Sequence, residues 1–504
     1  MREVSCSKNG GGFSQTYEAA EVYSKPASSI TVGFKILYLL TNFLGRAIKV
    51  SGVPSCFLER KITSVIVVGL LVFLPSVFGG PNIILIMADD LGYGDLACYG
   101  NTRIETPHID ALAANGLRFT DFHSSGPMCS PTRAATLTGV YQQRFGAKFD
   151  GAISGVDDFD SGLPLEAETI AEVLKKQGYA TGCFGKWHLG YQPPYFPTKQ
   201  GFDEFRGLGS GDGDFFTHVD RSGRSDWWLN DEQVPETGYT TDLLAKHSID
   251  FIKRHKDGPF FLYVPHLAIH FPWQGPDDPP HRKAGTSYHK EKWGIIPDRS
   301  NVYPHVKGMI ESLDDSVGAI LASLREEGLL NNSLVIFTSD NGGYTSYGGG
   351  FKNISSNGML RGQKAQLFEG GHRVPTIVSW PGKIKAGVTN DTSHSTDWFP
   401  TFASLAGIAL DGAMLDGVNL SPLLFESGPL PERSLFWRMR GNWAIRNGPW
   451  KLVSMNSKLE LFNLTDDLGE THDLSTEYPD RVAQLTGAWK AWEIDVNHSA
   501  QSYP

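Results

Sequence analysis

Ile83 to Met87 is an unbroken apolar run that stops at Asp89-Asp90. Such runs, lacking the polar alternation of a half-exposed strand, predict strands buried on both faces, as in a parallel sheet. Leu334 to Phe337 repeats the pattern and stops at Ser339-Asp340-Asn341-Gly342-Gly343. Phe260 to Val264 and Thr376 to Trp380 predict further buried strands. Helical spacing fills the intervals. Thr106-Pro107 supplies a cap and a first turn, and Asn115-Gly116 a stop. Glu168 to Gln177 predicts an amphipathic helix closed by Gly178. A strand from Tyr179 to Phe184 then leads into Gly185-Lys186-Trp187-His188. A longer helix spans Val306 to Glu327, with Gly328 as its stop.

Strands alternating with helices predict an α/β class: a large, mostly parallel mixed sheet flanked by helices over residues 80–430. From residue 431 the texture changes. Short strand-like runs at Leu435-Phe436-Trp437, Trp443-Ala444-Ile445 and Trp450-Lys451-Leu452-Val453 precede a helical segment from Arg481 to Ile494. Residues 431–504 therefore read as a small antiparallel sheet with one helix. No internal repeat or low-complexity segment is visible.

The N-terminal part has a different character. Glu59-Arg60-Lys61 precedes the apolar stretch Ile62 to Phe78, with small residues at Val77 and Gly79. Residues 58–79 read as a secretory signal peptide. At about 17 residues the stretch is short for a membrane helix, so an uncleaved anchor is the weaker alternative. A signal peptide should open a chain, which makes residues 1–57 an extension upstream of the expected start. The mature protein then begins near Gly80 and is secreted or periplasmic.

Composition narrows the function. Of 504 residues, 40% are hydrophobic and 20% charged, as in a globular protein. The net charge of −10 argues against nucleic acid as a partner, although a local basic cluster can still receive an anionic substrate. The five cysteines, Cys6, Cys56, Cys98, Cys129 and Cys183, form neither a disulfide framework nor a zinc pattern. Cys98 and Cys183 read as small buried hydrophobes.

Two buried strands that both end in acids point to one site, because sites in open α/β sheets lie at the carboxyl ends of strands. Asp89, Asp90, Asp340 and Asn341 offer only oxygen donors, which suit a hard cation such as calcium or magnesium and suit zinc poorly. Cys129 opens Cys129-Ser130-Pro131-Thr132-Arg133 and precedes Thr138-Gly139. Pro131 suits the first turn of a helix, so Cys129 is expected at a helix start, where free N–H groups favour an anion. Arg133, one turn on, is expected to return toward the cysteine.

The run Cys-x-Pro-x-Arg with its Thr-Gly ending resembles the signature of the type I sulfatases, in the branch of arylsulfatases and N-acetylgalactosamine-6-sulfatases. Gly178 to His188 resembles the family's second signature. The resemblance runs from about residue 81 to the C-terminus and implies an alkaline-phosphatase-like fold. It also implies that Cys129 is oxidised to formylglycine by a transient formylglycine-generating enzyme. The aldehyde hydrates to a diol: one hydroxyl takes the sulfuryl group, and the second allows sulfate to be expelled. By the same resemblance, Asp89, Asp90, Cys129, Asp340 and Asn341 hold one calcium ion. Arg133 steadies the formylglycine and His188 hydrogen-bonds it. Lys186 and Lys364 bind sulfate oxygens, and His270, in His270-Phe271-Pro272, faces the leaving group.

The implied substrate is a sulfated glycan or a small sulfate ester. An arylsulfatase of broad specificity is the alternative. A phosphate or phosphonate ester hydrolase of the same superfamily fits less well, because the nucleophile position is Cys and Asn341 stands where such enzymes carry a histidine-containing pair. A glycan-binding pseudoenzyme would show a gap in the catalytic set, and every matched position holds the family's residue type. His266 reads as a core or supporting residue, His372 equally as substrate-facing or structural, and His108 and His123 as structural. Trp227-Trp228 could stack on a sugar or simply cover the domain.

Overall fold

The structure, a computed structural model, describes residues 80–502; the extension and signal-peptide readings lie outside the described residues. Strand β1 (Asn82–Ala88) is buried along its whole length. Its neighbours are β7 (Phe260–Pro265) and β8 (Ser333–Ser339), both parallel to it. β3 (Ala180–Lys186) and β4 (Glu204–Leu208) continue the parallel set beyond β7. On the other side, β9 (Thr376–Ser379) runs antiparallel between β8 and the short β2 (Leu117–Phe119). With β5 (Trp228–Leu229), β6 (Glu232–Gln233) and β10 (Gly387–Thr389), the ten-stranded order is β10-β2-β9-β8-β1-β7-β3-β4-β5-β6.

The apolar runs are continuous because each face of the sheet is roofed by helices. Ile83, Leu85 and Met87 face a core shared with α2 (Cys129–Thr138), α3 (Ile170–Lys176) and α6 (Trp398–Leu405). Ile84, Ile86 and Ala88 face a second core shared with α1 (Pro107–Ala114), α4 (Thr240–Arg254) and α5 (Tyr303–Glu326). No described helix is long and apolar enough to cross a membrane.

Strands β11 (Ser434–Met439), β12 (Asn442–Asn447), β13 (Trp450–Met455) and β14 (Lys458–Asn463) form an antiparallel meander. α7 (Pro479–Ser499) packs Leu485, Trp489, Trp492 and Val496 on one face of it. The other face meets Leu367 and Phe368 of the main body. α7 is longer than the helical segment read from the sequence. That reading ended at Ile494, which lies off the buried stripe and is 71% exposed.

The meander is also joined to the main body by buried charge. Arg446 clamps Asp121, with both nitrogen–oxygen distances at 2.7 Å. Lys451 lies 2.8 Å from Glu369 and 2.9 Å from Glu470, and all three side chains are fully buried. Between these pairs, His123 and His372 face each other Nδ1 to Nδ1 at 3.0 Å.

Candidate active site

The two acid pairs meet because β1 and β8 run side by side in register, Ala88 opposite Ser339. One step further brings Asp89-Asp90 against Asp340-Asn341, all four buried. Asp90 has a left-handed backbone (φ 63°), a strained conformation for a non-glycine residue that active sites tolerate when the surroundings fix it. Here its N–H donates to Asp340 Oδ1 at 3.2 Å.

Cys129 is the first residue of α2, and no side chain caps that helix start. Its leading N–H groups are thus left for an anion. The sulfur lies 3.4 Å from Asp89 Oδ1, and Lys364 Nζ donates to it at 3.1 Å. Burial, followed by the Asp89 charge, pushes the thiol up to about 12. An unmodified thiol is therefore un-ionised at neutral pH and a weak nucleophile.

Arg133 lies one turn on but does not turn to the sulfur. Its Nε and Nη2 donate to Asp340 Oδ2 at 3.0 and 2.8 Å, and its Nη1 donates to the Lys186 carbonyl at 2.7 Å. A fully buried guanidinium needs a carboxylate, and Asp340 supplies it. Burial pushes Asp340 upward, but Arg133, Lys186 and Lys364 outweigh it and hold the carboxyl below its ordinary range.

Lys186, at the end of β3, donates to Asp89 Oδ2 at 2.5 Å, and Lys364 donates to Asp90 Oδ1 at 2.5 Å. Both ammonium groups stand beside the cysteine's acid neighbours. His188, also left-handed (φ 55°), bonds through Nε2 to the Ile153 carbonyl at 3.1 Å rather than to Cys129, leaving Nδ1 without a partner. Gly211 packs on this ring so closely that a Cβ would lie 2.4 Å from it.

His270 Nδ1 donates to the Phe271 carbonyl at 2.7 Å, and its Nε2 lies 3.8 Å from Asp90 Oδ2. The carbonyl fixes the proton on Nδ1 and leaves Nε2 as the acceptor. Burial, then Lys186, Lys364 and Arg221, hold this imidazole well below its usual range, so it is neutral in the free site.

The donor set fits a hard cation. Asn341 spends its Nδ2 on Asp90 Oδ1 and on the Gly342 carbonyl, both at 2.9 Å, while its buried Oδ1 has no hydrogen-bond partner. Buried amide oxygens rarely go unpaired. Ligand atoms of Asp89, Asp90 and Cys129, with His270, lie within 4.8 Å of one another. Burial, then the Asp340 carboxylate, push Asp89 up to about 8. A cation bound by these oxygens would oppose both effects.

The other histidines and tryptophans singled out from the sequence do not line the cavity around Cys129. His266 is fully buried beside Ser316. His123, His372 and Glu369 also bring ligand-type atoms together, but all four ring nitrogens are engaged, by each other, Asp121, Arg446, Lys451 and the Leu367 carbonyl. His372 is therefore structural, bridging the main body to the meander. Trp227 is buried against His218 (4.3 Å between ring centroids), and Trp228 packs on Phe196.

Cys129, His188, His270 and Lys364 line one cavity of about 430 Å³. Its outer wall carries residues that sequence reasoning missed: Tyr344, Tyr347, Arg221, Lys292 and Arg440. Only Tyr344 had a signal, its place just after Asn341-Gly342-Gly343. Tyr347 follows three residues later, and Arg221, Lys292 and Arg440 come from segments remote in sequence.

A cysteine at a helix start beside acids at two adjoining parallel strand ends is set in an alkaline-phosphatase-like fold. Within that class the comparisons are specific. The Sulfatase family model matches residues 81–408. Arylsulfatase A of Homo sapiens is 38% identical, over 78% of this chain and 77% of its own. N-acetylgalactosamine-6-sulfatase of Rattus norvegicus is 35% identical, over 74% of this chain and 71% of its own. Among solved structures, Ps i-CgsB superposes with a TM-score of 0.73 at 31% identity, covering 84% of this chain and 94% of that one. It is also known in complex with k-i-k-neocarrahexaose. The chain belongs to the sulfatase family and is a sulfuric ester hydrolase.

Proposed function

We propose that this chain removes sulfate from a sulfated carbohydrate, using formylglycine made from Cys129 and one calcium ion held by Asp89, Asp90, Asp340 and Asn341. The observation that carries this reading is the Cys129 surround: a sulfur at an uncapped helix start, with Lys364 at 3.1 Å and the unpartnered Asn341 oxygen nearby. When bound, the cation supplies Lewis acidity and a template, and the hydrated aldehyde supplies the attacking oxygen.

The chain's own residues do the rest. Lys186 and Lys364 neutralise sulfuryl oxygens as charge builds on them. The helix start adds N–H donors in the same direction. Arg133 fixes Asp340, which keeps the oxygen donors in register. His270 is neutral in the free site; the negative charge of a bound sulfate ester favours a proton on Nε2, which is then given to the departing alcohol oxygen. The carbohydrate reading draws support from the names of two relatives: an N-acetylgalactosamine-6-sulfatase and a structure holding an oligosaccharide.

Mass spectrometry of the peptide containing Cys129 tests the nucleophile, with the aldehyde form expected in active protein. A desulfation screen over sulfated galactose, galactosamine and glucosamine, beside an aryl sulfate, tests the substrate. Turnover of the aryl sulfate alone would remove the carbohydrate.

A further inference from the structure

The cavity lined by Lys364 carries further charged residues on its wall. Two of its arginines have carboxylate partners, Asp212 being shared between Arg221 and the buried Arg282. Arg221 Nε lies 2.8 Å from Asp212, and Arg224 Nη2 lies 2.7 Å from Asp220. Lys292 and Arg440 differ: among the described residues neither has a carboxylate within 4.0 Å, and Arg440 makes no hydrogen bond.

Lys292 is held in place without being neutralised. Its Nζ lies over three rings, 5.2 Å from the centroids of Phe271 and Tyr347 and 5.9 Å from that of Trp293. A ring face orients an ammonium but leaves its hydrogen-bond donors free. Phe271 directly follows His270, so this charge stands on the side of the cavity assigned to the leaving group. Arg440 arrives from the C-terminal meander, at the tight turn between β11 and β12. Arg440 (φ 47°) and Gly441 (φ 85°) are both left-handed there, a turn that normally prefers Asn, Asp or Gly in place of arginine. Gly151 leaves room for it, since a Cβ at that glycine would sit 3.2 Å from Arg440 Nε. The one wall acid without an arginine partner, Asp157, is exposed, where solvent and salt screen it.

Resting on the sulfate-ester reading of this same cavity, we infer that Lys292 and Arg440 give it a second anion subsite, which selects substrates bearing another sulfate or a carboxylate beside the scissile ester. A substrate with one sulfate on an otherwise neutral sugar would leave both cations unused. A doubly charged one would exchange their solvation for charge-assisted hydrogen bonds.

The test compares kcat/KM for three disaccharides with the same scissile sulfate: one otherwise neutral, one with a second sulfate and one with a uronate. Parent enzyme is expected to prefer the doubly charged pair, and the ratio between that pair separates sulfate from carboxylate as the favoured group. Lys292→Met keeps the stem on its rings, and Arg440→Gly relaxes the turn. Each is expected to reduce the preference about tenfold, through KM, as for one lost charge-assisted hydrogen bond. A parent without preference, or a ratio unchanged in both variants, would overturn the subsite while leaving the sulfatase reading intact. Absence of turnover on all three sugars and on an aryl sulfate would instead overturn the reading on which the subsite rests.

Discussion

Lys364 Nζ stands 3.1 Å from the Cys129 sulfur and 2.5 Å from Asp90 Oδ1. One ammonium thus touches both the proposed nucleophile position and a carboxylate proposed to bind metal. Its pKa is raised well above the ordinary value: burial opposes the charge, but Asp90 and Cys129 outweigh it. It therefore stays charged over the whole working range.

Lys364→Ala is expected to cut kcat by about 10² to 10³, the usual effect of losing one preorganised donor to developing charge. The melting temperature should stay near that of the parent, provided bound calcium compensates Asp90. Steady-state kinetics beside a thermal melt checks both points, and near-parent kcat would exclude Lys364 from the chemistry.

Asp340→Ala removes a proposed calcium ligand and the carboxylate of Arg133 together. Calcium content, measured by elemental analysis of the purified protein, should fall to background and activity with it. The stranded guanidinium should also cost about 3–5 kcal/mol, as when one partner of a buried pair is removed. Destabilised protein with full calcium content would show that Asp340 serves Arg133 alone.

Acid should destabilise this protein through its buried histidines as well as its carboxylates. Burial lowers His266 from the ordinary 6.5 to about 3. The unfolded chain therefore binds a proton that the folded one refuses between those values, and stability is lost as pH falls from 6.5 toward 3. The slope is at most about 1.4 kcal/mol per pH unit for this one group. Urea denaturation at several pH values should show a flatter profile for His266→Gln than for the parent.

The sequence carried the site better than its setting. Ile83–Met87 and Leu334–Phe337 announce buried strands, and acids at their ends announce a shared site, because strand burial and strand-end geometry are local properties. The contacts of Arg133 with Asp340 and of His188 with Ile153 were not legible, since both depend on which loop lands nearby. The same holds for His372. Its neighbours Glu369 and Arg373 are close in sequence, but Lys451 comes from 79 positions away, and no local pattern marks that meeting.

Lys451→Met preserves volume but strips Glu369 and Glu470 of their shared cation. A loss of about 3–5 kcal/mol is expected, readable by urea denaturation. Burial has already pushed Glu470 up to about 7. Below that pH it can take a proton and soften the penalty, so the loss should grow from pH 6 to pH 8.

The clamp between Asp121 and Arg446 joins residues 325 positions apart. A contact of that span forms late, because most of the chain must be made and ordered before it can close. Trp437, from the same meander, donates to the Ser124 carbonyl at 2.8 Å, in the segment that leads into Cys129. The segment that leads into Cys129 is thus among the last parts to set. Cys129, only 1% exposed in the finished molecule, is therefore expected to be more accessible before these contacts close. A chain ended at residue 430 should react with a thiol reagent at Cys129 faster than the full-length protein does.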